Sequence, residues 1–318
     1  MIVSFNCIFV IGPTAVGKTA VGVRIAHSFN GEILSADSRQ VYKGLDIGSG
    51  KDLCEYNYQG KQIPYHIIDV TDLSHEYSLF DFQKDFYSAF SDCIARKKLP
   101  VCVGGTGMYV DSILRNYDMI EIPENTEMEN ELLTKSYDEL KSILISEKEK
   151  LHNTSEFRDK ERIVKAIVIN RFRKTKEYRK LKEEFERNKP EVRPFVIGTT
   201  LERSLVRERI SKRLKARLEE GLIEEVEGLH ENGASFERLE SLGLEYRFVS
   251  EYLQGKIASK DELYTLLNLA IGQFAKRQET WFRGMEKKGV KIHWLPEIMD
   301  AEERAEKAIE LCREALDK

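Results

Sequence analysis

The hydrophobic pattern divides the chain into short continuous apolar runs and longer stretches with helical spacing. Ile8-Phe9-Val10-Ile11 is an uninterrupted run, the mark of a strand buried on both faces, and Ala20 to Ala26 opens a helix behind it. Glu32 to Ala36 reads as a second short strand. Tyr65 to Val70 reads as an apolar strand carrying Asp69 near its end, and Leu99 to Val103 as a further buried strand. Between these last two, Ser78 opens an amphipathic helix running to about Lys98. Its Phe82, Phe86, Ala89, Phe90, Cys93 and Ile94 recur at helical spacing, as a core stripe does. Strands alternating with helices predict an α/β fold with a parallel sheet.

From Pro123 to about Arg193 strand signals are few and helix formers dominate. Arg193 to Gly198 is a strand again, expected to rejoin the first sheet. A helix carrying Arg203, Arg207, Arg209, Arg213 and Arg217 follows, and Gly221 to Val226 continues the helical region. Ile292 to Leu295 reads as a last strand and residues 301–317 as a closing helix. The expected organisation is an α/β core from residues 1–122 and 194–318, interrupted by a helical insertion at 123–193.

Composition narrows this picture. The 318 residues are 41% hydrophobic and 33% charged, enough for a large core in one or two domains. Five cysteines without C-x-x-C spacing point to reduced thiols and a cytoplasmic protein. No apolar stretch is long enough to span a bilayer, and the N-terminus reads as a strand rather than a signal peptide. The net charge is only −4, yet residues 158–182 hold eleven bases (Arg158, Lys160, Arg162, Lys165, Arg171, Arg173, Lys174, Lys176, Arg179, Lys180 and Lys182) against Asp159, Glu161 and Glu177. That segment stands at +8 and the remainder of the chain at −12. A basic face concentrated on an acidic protein is the footprint of a polyanion such as nucleic acid, although most charge runs are solvated helix faces.

The candidate chemistry begins after the first strand. Gly12-Pro13-Thr14-Ala15-Val16-Gly17-Lys18-Thr19 fits G-x-x-x-x-G-K-[ST], between a strand and a helix as that loop requires. Its amides and the helix N-terminus attract phosphate, Lys18 reaches phosphate oxygens, and the Thr19 hydroxyl faces a Mg²⁺ ion. The loop does not say what carries the phosphates. Asp37, at the end of the second strand, lies where open α/β sheets bind ligands, but an Asp there equally caps a turn. Asp69 poses the same choice. Gly104-Gly105-Thr106-Gly107 is a second glycine-rich turn at the same sheet edge. Arg209 and Arg213 lie one helical turn apart and could clamp phosphate, or pair with nearby glutamates.

Several segments together resemble the tRNA dimethylallyltransferases (tRNA isopentenyltransferases) of bacterial type. They are 12–19, Ser-Ala-Asp-Ser-Arg-Gln-Val-Tyr-Lys-Gly-Leu-Asp-Ile-Gly at 35–48, Gly-Gly-Thr-Gly-Met-Tyr at 104–109 and Ala-Lys-Arg-Gln-Glu-Thr-Trp-Phe-Arg at 275–283. The resemblance implies a P-loop kinase-like core with a helical tRNA-binding insertion, acting as a monomer on tRNA at the anticodon arm. It implies transfer of the dimethylallyl group from dimethylallyl diphosphate to N6 of adenosine 37, with Mg²⁺. Asp37 matches the general base and Thr106 the active-site threonine, with Lys18 and an arginine such as Arg209 stabilising the leaving diphosphate. Asp37, Ser38, Arg39, Gln40 and Thr106 match tRNA-contacting positions. So do Glu161-Arg162-Ile163-Val164-Lys165, where the family usually reads Gln-Arg-x-x-Arg, so that a point charge replaces a fork at 165. Ser241 to Tyr246 departs from the usual Ile-Gly-Tyr-Lys-Glu and carries no assigned function. A small-molecule kinase using ATP, a non-catalytic RNA-binding switch and an adenylate prenyltransferase are the competing readings. The basic segment speaks against the first and third, and Asp37 and Thr106 beside the loop against the second.

Overall fold

In the computed structural model, residues 5–123, 125–147, 157, 159–297 and 300–316 are described. The chain forms two compact units, one from residues 1–117 and 190–318, the other from Asp118–Lys189.

The first unit opens with β1 (Cys7–Ile11), α1 (Lys18–Ser28) and β2 (Gly31–Ser35). A two-strand hairpin, β3 (Asn57–Tyr58) and β4 (Lys61–Gln62), leads to β5 (Tyr65–His66), α2 (Leu79–Ala95), β6 (Leu99–Gly104) and α3 (Gly107–Leu114). The second unit is helical: α4 (Thr126–Leu133), α5 (Tyr137–Glu147), α6 (Lys160–Phe172) and α7 (Lys176–Asn188). The chain then returns through β7 (Pro194–Gly198), α8 (Arg203–Glu219), α9 (Leu222–Glu231), α10 (Phe236–Ser241), α11 (Leu244–Leu253), α12 (Lys260–Lys287), β8 (His293–Trp294) and α13 (Ala301–Leu316).

Six strands make one parallel sheet in the order β5-β2-β6-β1-β7-β8. All five residues of β1 are buried because helices cover both faces. Alternation sends Cys7, Phe9 and Ile11 into one apolar core with Phe82 and Phe86, and Ile8 and Val10 into the other with Val21, Ile25 and Ala308. The strand at 193–198 does rejoin the sheet, beside β1. The helix at 78–98 is fixed by a capping box between Ser78 and Asp81.

Two expectations change. The strand expected over 65–70 stops at His66, because Ile67 (φ 62°) and Asp69 (φ 55°) take left-handed backbone conformations that end a ladder. Asp69 pairs with the buried Lys51, which also donates to the Tyr42 carbonyl (2.8 Å) and to Asp46 (2.7 Å). The insertion spans 118–189 rather than 123–193. Residues 190–193 already run beside the start of β1, where Asn6 Oδ1 accepts the Arg193 N–H (2.7 Å) and Asn6 N–H donates to the Arg193 carbonyl (2.9 Å).

The second unit packs Leu132, Leu140, Leu144, Ile163, Val164, Ile167 and Val168 into its own core. Helix α7 buries none of its residues.

Candidate active site

Parallel strands all deliver their C-terminal ends to one sheet edge, and here β1, β2, β6 and β7 are followed there by Gly12, Ala36, Gly105 and Thr199. In the loop after β1, Ala15 (φ 63°) and Gly17 (φ 84°) both sit in the left-handed region, which turns amide groups toward one side. Gly17 heads α1 with no side-chain cap, leaving the helix N-terminus open to an anion. Lys18 Nζ donates to the Pro13 carbonyl (2.6 Å). Withdrawal from water pushes the Lys18 pKa down to about 8, with Asp37 opposing the shift and Arg213 adding to it.

Asp37 is held by its own turn, its Oδ1 accepting the Arg39 N–H (2.9 Å), so the turn-cap reading is correct for one oxygen. Its Oδ2 accepts no protein hydrogen bond among the described residues. A Cβ on Gly104 would stand 2.2 Å from the Ala36 carbonyl oxygen, so only glycine lets β6 end this close to β2. That approach sets Thr106 Oγ1 to accept the Ser38 N–H (3.0 Å), while the Thr106 N–H donates to the Ala36 carbonyl (3.1 Å). Gln40 turns inward, accepting from the Ser35 hydroxyl (2.8 Å) and donating to the Gly50 carbonyl (3.0 Å).

These groups border one cleft of about 980 Å³, all within the first unit. Thr14, Ala15, Gly17, Lys18, Thr19, Asp37, Ser38, Arg39, Gln40, Thr106 and Arg209 line it. Val16 instead packs in the core. Arg213 comes closer to the loop than sequence spacing alone distinguishes, its Nη2 donating to the Thr14 hydroxyl (2.6 Å). Burial, then the neighbouring Arg217, lowers the pKa of Arg213. Glu55 and Asp52 also reach the cleft, and the Glu55 carboxyl faces the Thr19 hydroxyl. Withdrawal of that carboxyl from water, then the Asp52 charge, raises its pKa. Phe274, Arg277 and Trp281 of α12 form a half-open aromatic and cationic wall.

Three contributors escaped the sequence reading. Gln278 joins the two glycine-rich loops, its Oε1 accepting the Thr14 N–H (2.9 Å) and its Nε2 donating to the Gly105 carbonyl (2.8 Å). It is the polar member of a buried stripe, Leu263, Leu267, Ile271, Ala275 and Phe282, and that break in the pattern was the available signal. Glu225 accepts the Asp46, Ile47 and Gly48 N–H groups (3.0, 2.6 and 3.1 Å) and the Tyr246 hydroxyl (2.8 Å), pinning the loop that carries Ser49 and Gly50 into the cleft. The 241–246 segment therefore has a place after all: Ser241, Gly243, Leu244 and Glu245 border the cleft and Tyr246 braces Glu225.

The 161–165 segment lies on α6 of the second unit. Ile163 and Val164 are 0% and 3% exposed in that unit's core and offer nothing to a partner, which corrects their inclusion as tRNA contacts. Glu161, Arg162 and Lys165 face outward, with Arg162 on Asp159 (3.0 Å). Of the eleven bases, Arg158 lies outside the described residues. Arg171 pairs with Glu147 and Lys182 with Asp118. Lys165, Arg173, Lys176, Arg179 and Lys180 are exposed without an acidic partner among the described residues.

Comparison with known proteins gives one answer. The family model described as IPP transferase matches residues 40–285, and that described as isopentenyl transferase matches residues 5–63. The tRNA dimethylallyltransferase 2 of Treponema denticola is 49% identical over 91% of this chain and 95% of its own length. The tRNA dimethylallyltransferase 1 of Geotalea uraniireducens is 46% identical over 97% of this chain and 98% of its own. Among solved structures, the full-length tRNA isopentenylpyrophosphate transferase of Bacillus halodurans superposes with a TM-score of 0.70 at 28% identity, covering 98% of this chain and 97% of that one. With a phosphate loop, Asp37 and Thr106 on one cleft and relatives matched almost end to end, the chain belongs to the tRNA dimethylallyltransferase family.

Proposed function

We propose that this chain transfers the dimethylallyl group of dimethylallyl diphosphate to N6 of adenosine 37 in tRNA and releases diphosphate. The observation that carries the reading is the opposition of two chemistries across one cleft: a cationic phosphate loop with Lys18 and Arg213, and a carboxylate, Asp37, with one oxygen unused.

An exocyclic adenine amine is a weak nucleophile because its lone pair is delocalised into the ring. Asp37 Oδ2 accepts the N6 proton while the nitrogen attacks C1 of the allyl group. The C–O bond breaks as the C–N bond forms, and the electron pair leaves with the diphosphate. Lys18, Arg213, Arg209 and the loop amides take up that developing charge. Thr106 keeps the Asp37–Arg39 turn in place through the Ser38 N–H and is a positioning residue. The hard oxygen donors at Thr19, Glu55 and Asp52 suit Mg²⁺, which would neutralise charge on the diphosphate.

The adenine must leave its stack to reach Asp37, and Phe274, Trp281 and Arg277 offer faces on which neighbouring bases can stack. The exposed bases of α6 and α7 grip the anticodon arm through phosphates. One chain supplies the whole cleft, which supports action as a monomer. All five cysteines are free thiols, which supports a cytoplasmic setting, and no helix of the described residues is long and apolar enough to cross a membrane. The test is nucleoside mass spectrometry of tRNA incubated with the protein, Mg²⁺ and dimethylallyl diphosphate. Dimethylallyl adenosine at position 37 is expected; unmodified tRNA would reject the assignment.

A further inference from the structure

Helix α13 carries one charged side chain into the interior behind the phosphate loop. Arg304 is 0% exposed. Its Nη1 donates to the Val16 carbonyl (2.9 Å) and the Thr199 hydroxyl (3.3 Å), and its Nε to the Asp300 carbonyl (3.1 Å). Its Nη2 is buried with no protein hydrogen-bond partner among the described residues and flanks Gly17, where a Cβ would stand 3.7 Å away. No carboxylate pairs with Arg304 among the described residues; Asp300 attracts it only through space and Arg209 repels it.

A buried guanidinium with an unbonded N–H group and no counter-charge is costly. The groups around it add to the imbalance. The α1 N-terminus, Lys18 and Arg213 bring more positive charge to the same loop. An anion seated on that loop would balance this charge.

We propose that Arg304 is a positioning residue for the donor's diphosphate: it anchors the Val16 carbonyl and Thr199 behind the loop, and the bound anion balances its buried charge, so that donor capture and docking of α13 are coupled. The inference rests on the loop being a diphosphate site, but not on prenyl transfer. Coupling is reciprocal, so whatever α13 contributes to anion affinity, the anion returns as stability of α13.

Inorganic pyrophosphate with Mg²⁺ is the probe, measured by calorimetry and thermal melting on the full chain. Arg304→Met should weaken pyrophosphate binding about 10- to 100-fold, within the usual range of site-to-site coupling. Without pyrophosphate its melting temperature should equal or exceed that of the wild type, because an unbalanced buried charge has gone. The rise in melting temperature on adding pyrophosphate should largely disappear, while tRNA affinity stays unchanged. Arg304→Lys keeps the charge and should recover part of the lost affinity. A merely structural residue behaves oppositely: the variant melts lower when empty and keeps the pyrophosphate-induced rise. That outcome overturns the proposal, as do pyrophosphate affinity within twofold of wild type in Arg304→Met and a lysine variant that binds no better than methionine. Should Arg304→Met not fold, amide exchange on the wild type decides. Saturating pyrophosphate must slow exchange in α13, and unchanged exchange overturns the coupling. Wild-type protein that fails to bind pyrophosphate overturns the donor-site reading itself and the coupling with it. Absent prenyl transfer with Arg304-dependent pyrophosphate binding removes only the assigned reaction.

Discussion

At Asp37 one carboxylate oxygen closes a turn on the Arg39 N–H, and the other is the one to which the proposed function gives the N6 proton. Asp37→Ala removes both, yet the Thr106–Ser38 hydrogen bond still holds the segment. Single-turnover transfer should therefore fall about 10²–10⁴-fold while tRNA affinity barely moves, and near-normal turnover would exclude Asp37 as the base. Lys18 makes a separate, pH-resolved prediction. Its pKa lies at about 8 rather than its ordinary 10.5, because burial in the protein withdraws it from water. The ammonium is intact below that value and is lost as pH rises through it. kcat/KM for the diphosphate donor should thus decline above about pH 8. A bound diphosphate restores the charge, so kcat at saturating donor should hold to higher pH. Parallel pH profiles of the two constants check this, and coincident profiles would contradict it.

Among the elements, α12 shows what a sequence can and cannot display. Its aromatic and basic residues at 274–283 stand out by type, and Phe274, Arg277 and Trp281 do line the cleft, whereas Phe282 packs in the core. Gln278 does not stand out by type, because a lone glutamine has no chemistry to advertise; it lies within the 275–283 family segment, but its own role is marked by its place on a buried stripe, as Arg304 is marked on α13. Gln278→Leu keeps the volume but leaves the Thr14 N–H and Gly105 carbonyl unpaired, so pyrophosphate affinity should drop about tenfold or more, read by calorimetry. The strands were legible because five buried residues in a row leave little choice, whereas the early end of β5 depends on left-handed turns at Ile67 and Asp69 that no side-chain pattern announces. In α6 the family motif named five positions, but helix geometry turned Ile163 and Val164 into the unit's own core. Lys176 and Lys180, exposed and one turn apart on α7, are the cleaner probes of the basic face. Reversing both to Glu should weaken tRNA binding and reduce its salt slope by about 1 per lost phosphate contact, with donor affinity unchanged. An unaltered tRNA affinity across salt would leave α7 a solvated helix.

For the whole molecule, the charge pattern is uneven: a net −4 chain concentrates +8 in residues 158–182, which lie in the helical second unit, and that is why the proposed function assigns this face to the polyanion and the first unit to the chemistry. What charge and loop pattern leave open is the identity of the small substrate, since loop amides, Lys18 and Arg213 would recognise phosphate oxygens and not what is attached to them. In the proposed function the cleft takes an allylic diphosphate. ATP hydrolysis or transfer needs a nucleophile aimed at the γ-phosphorus, whereas in the proposed reaction the free oxygen of Asp37 takes a proton from an adenine amine. The most direct measurement follows both products in one reaction with tRNA: dimethylallyl diphosphate in one arm, ATP in the other, with diphosphate, phosphate and ADP release quantified beside modified adenosine. One diphosphate released per dimethylallyl adenosine formed is expected, with no ATP consumed with or without tRNA. Sustained ATP turnover without prenylated adenosine would contradict it and make the protein a phosphotransferase.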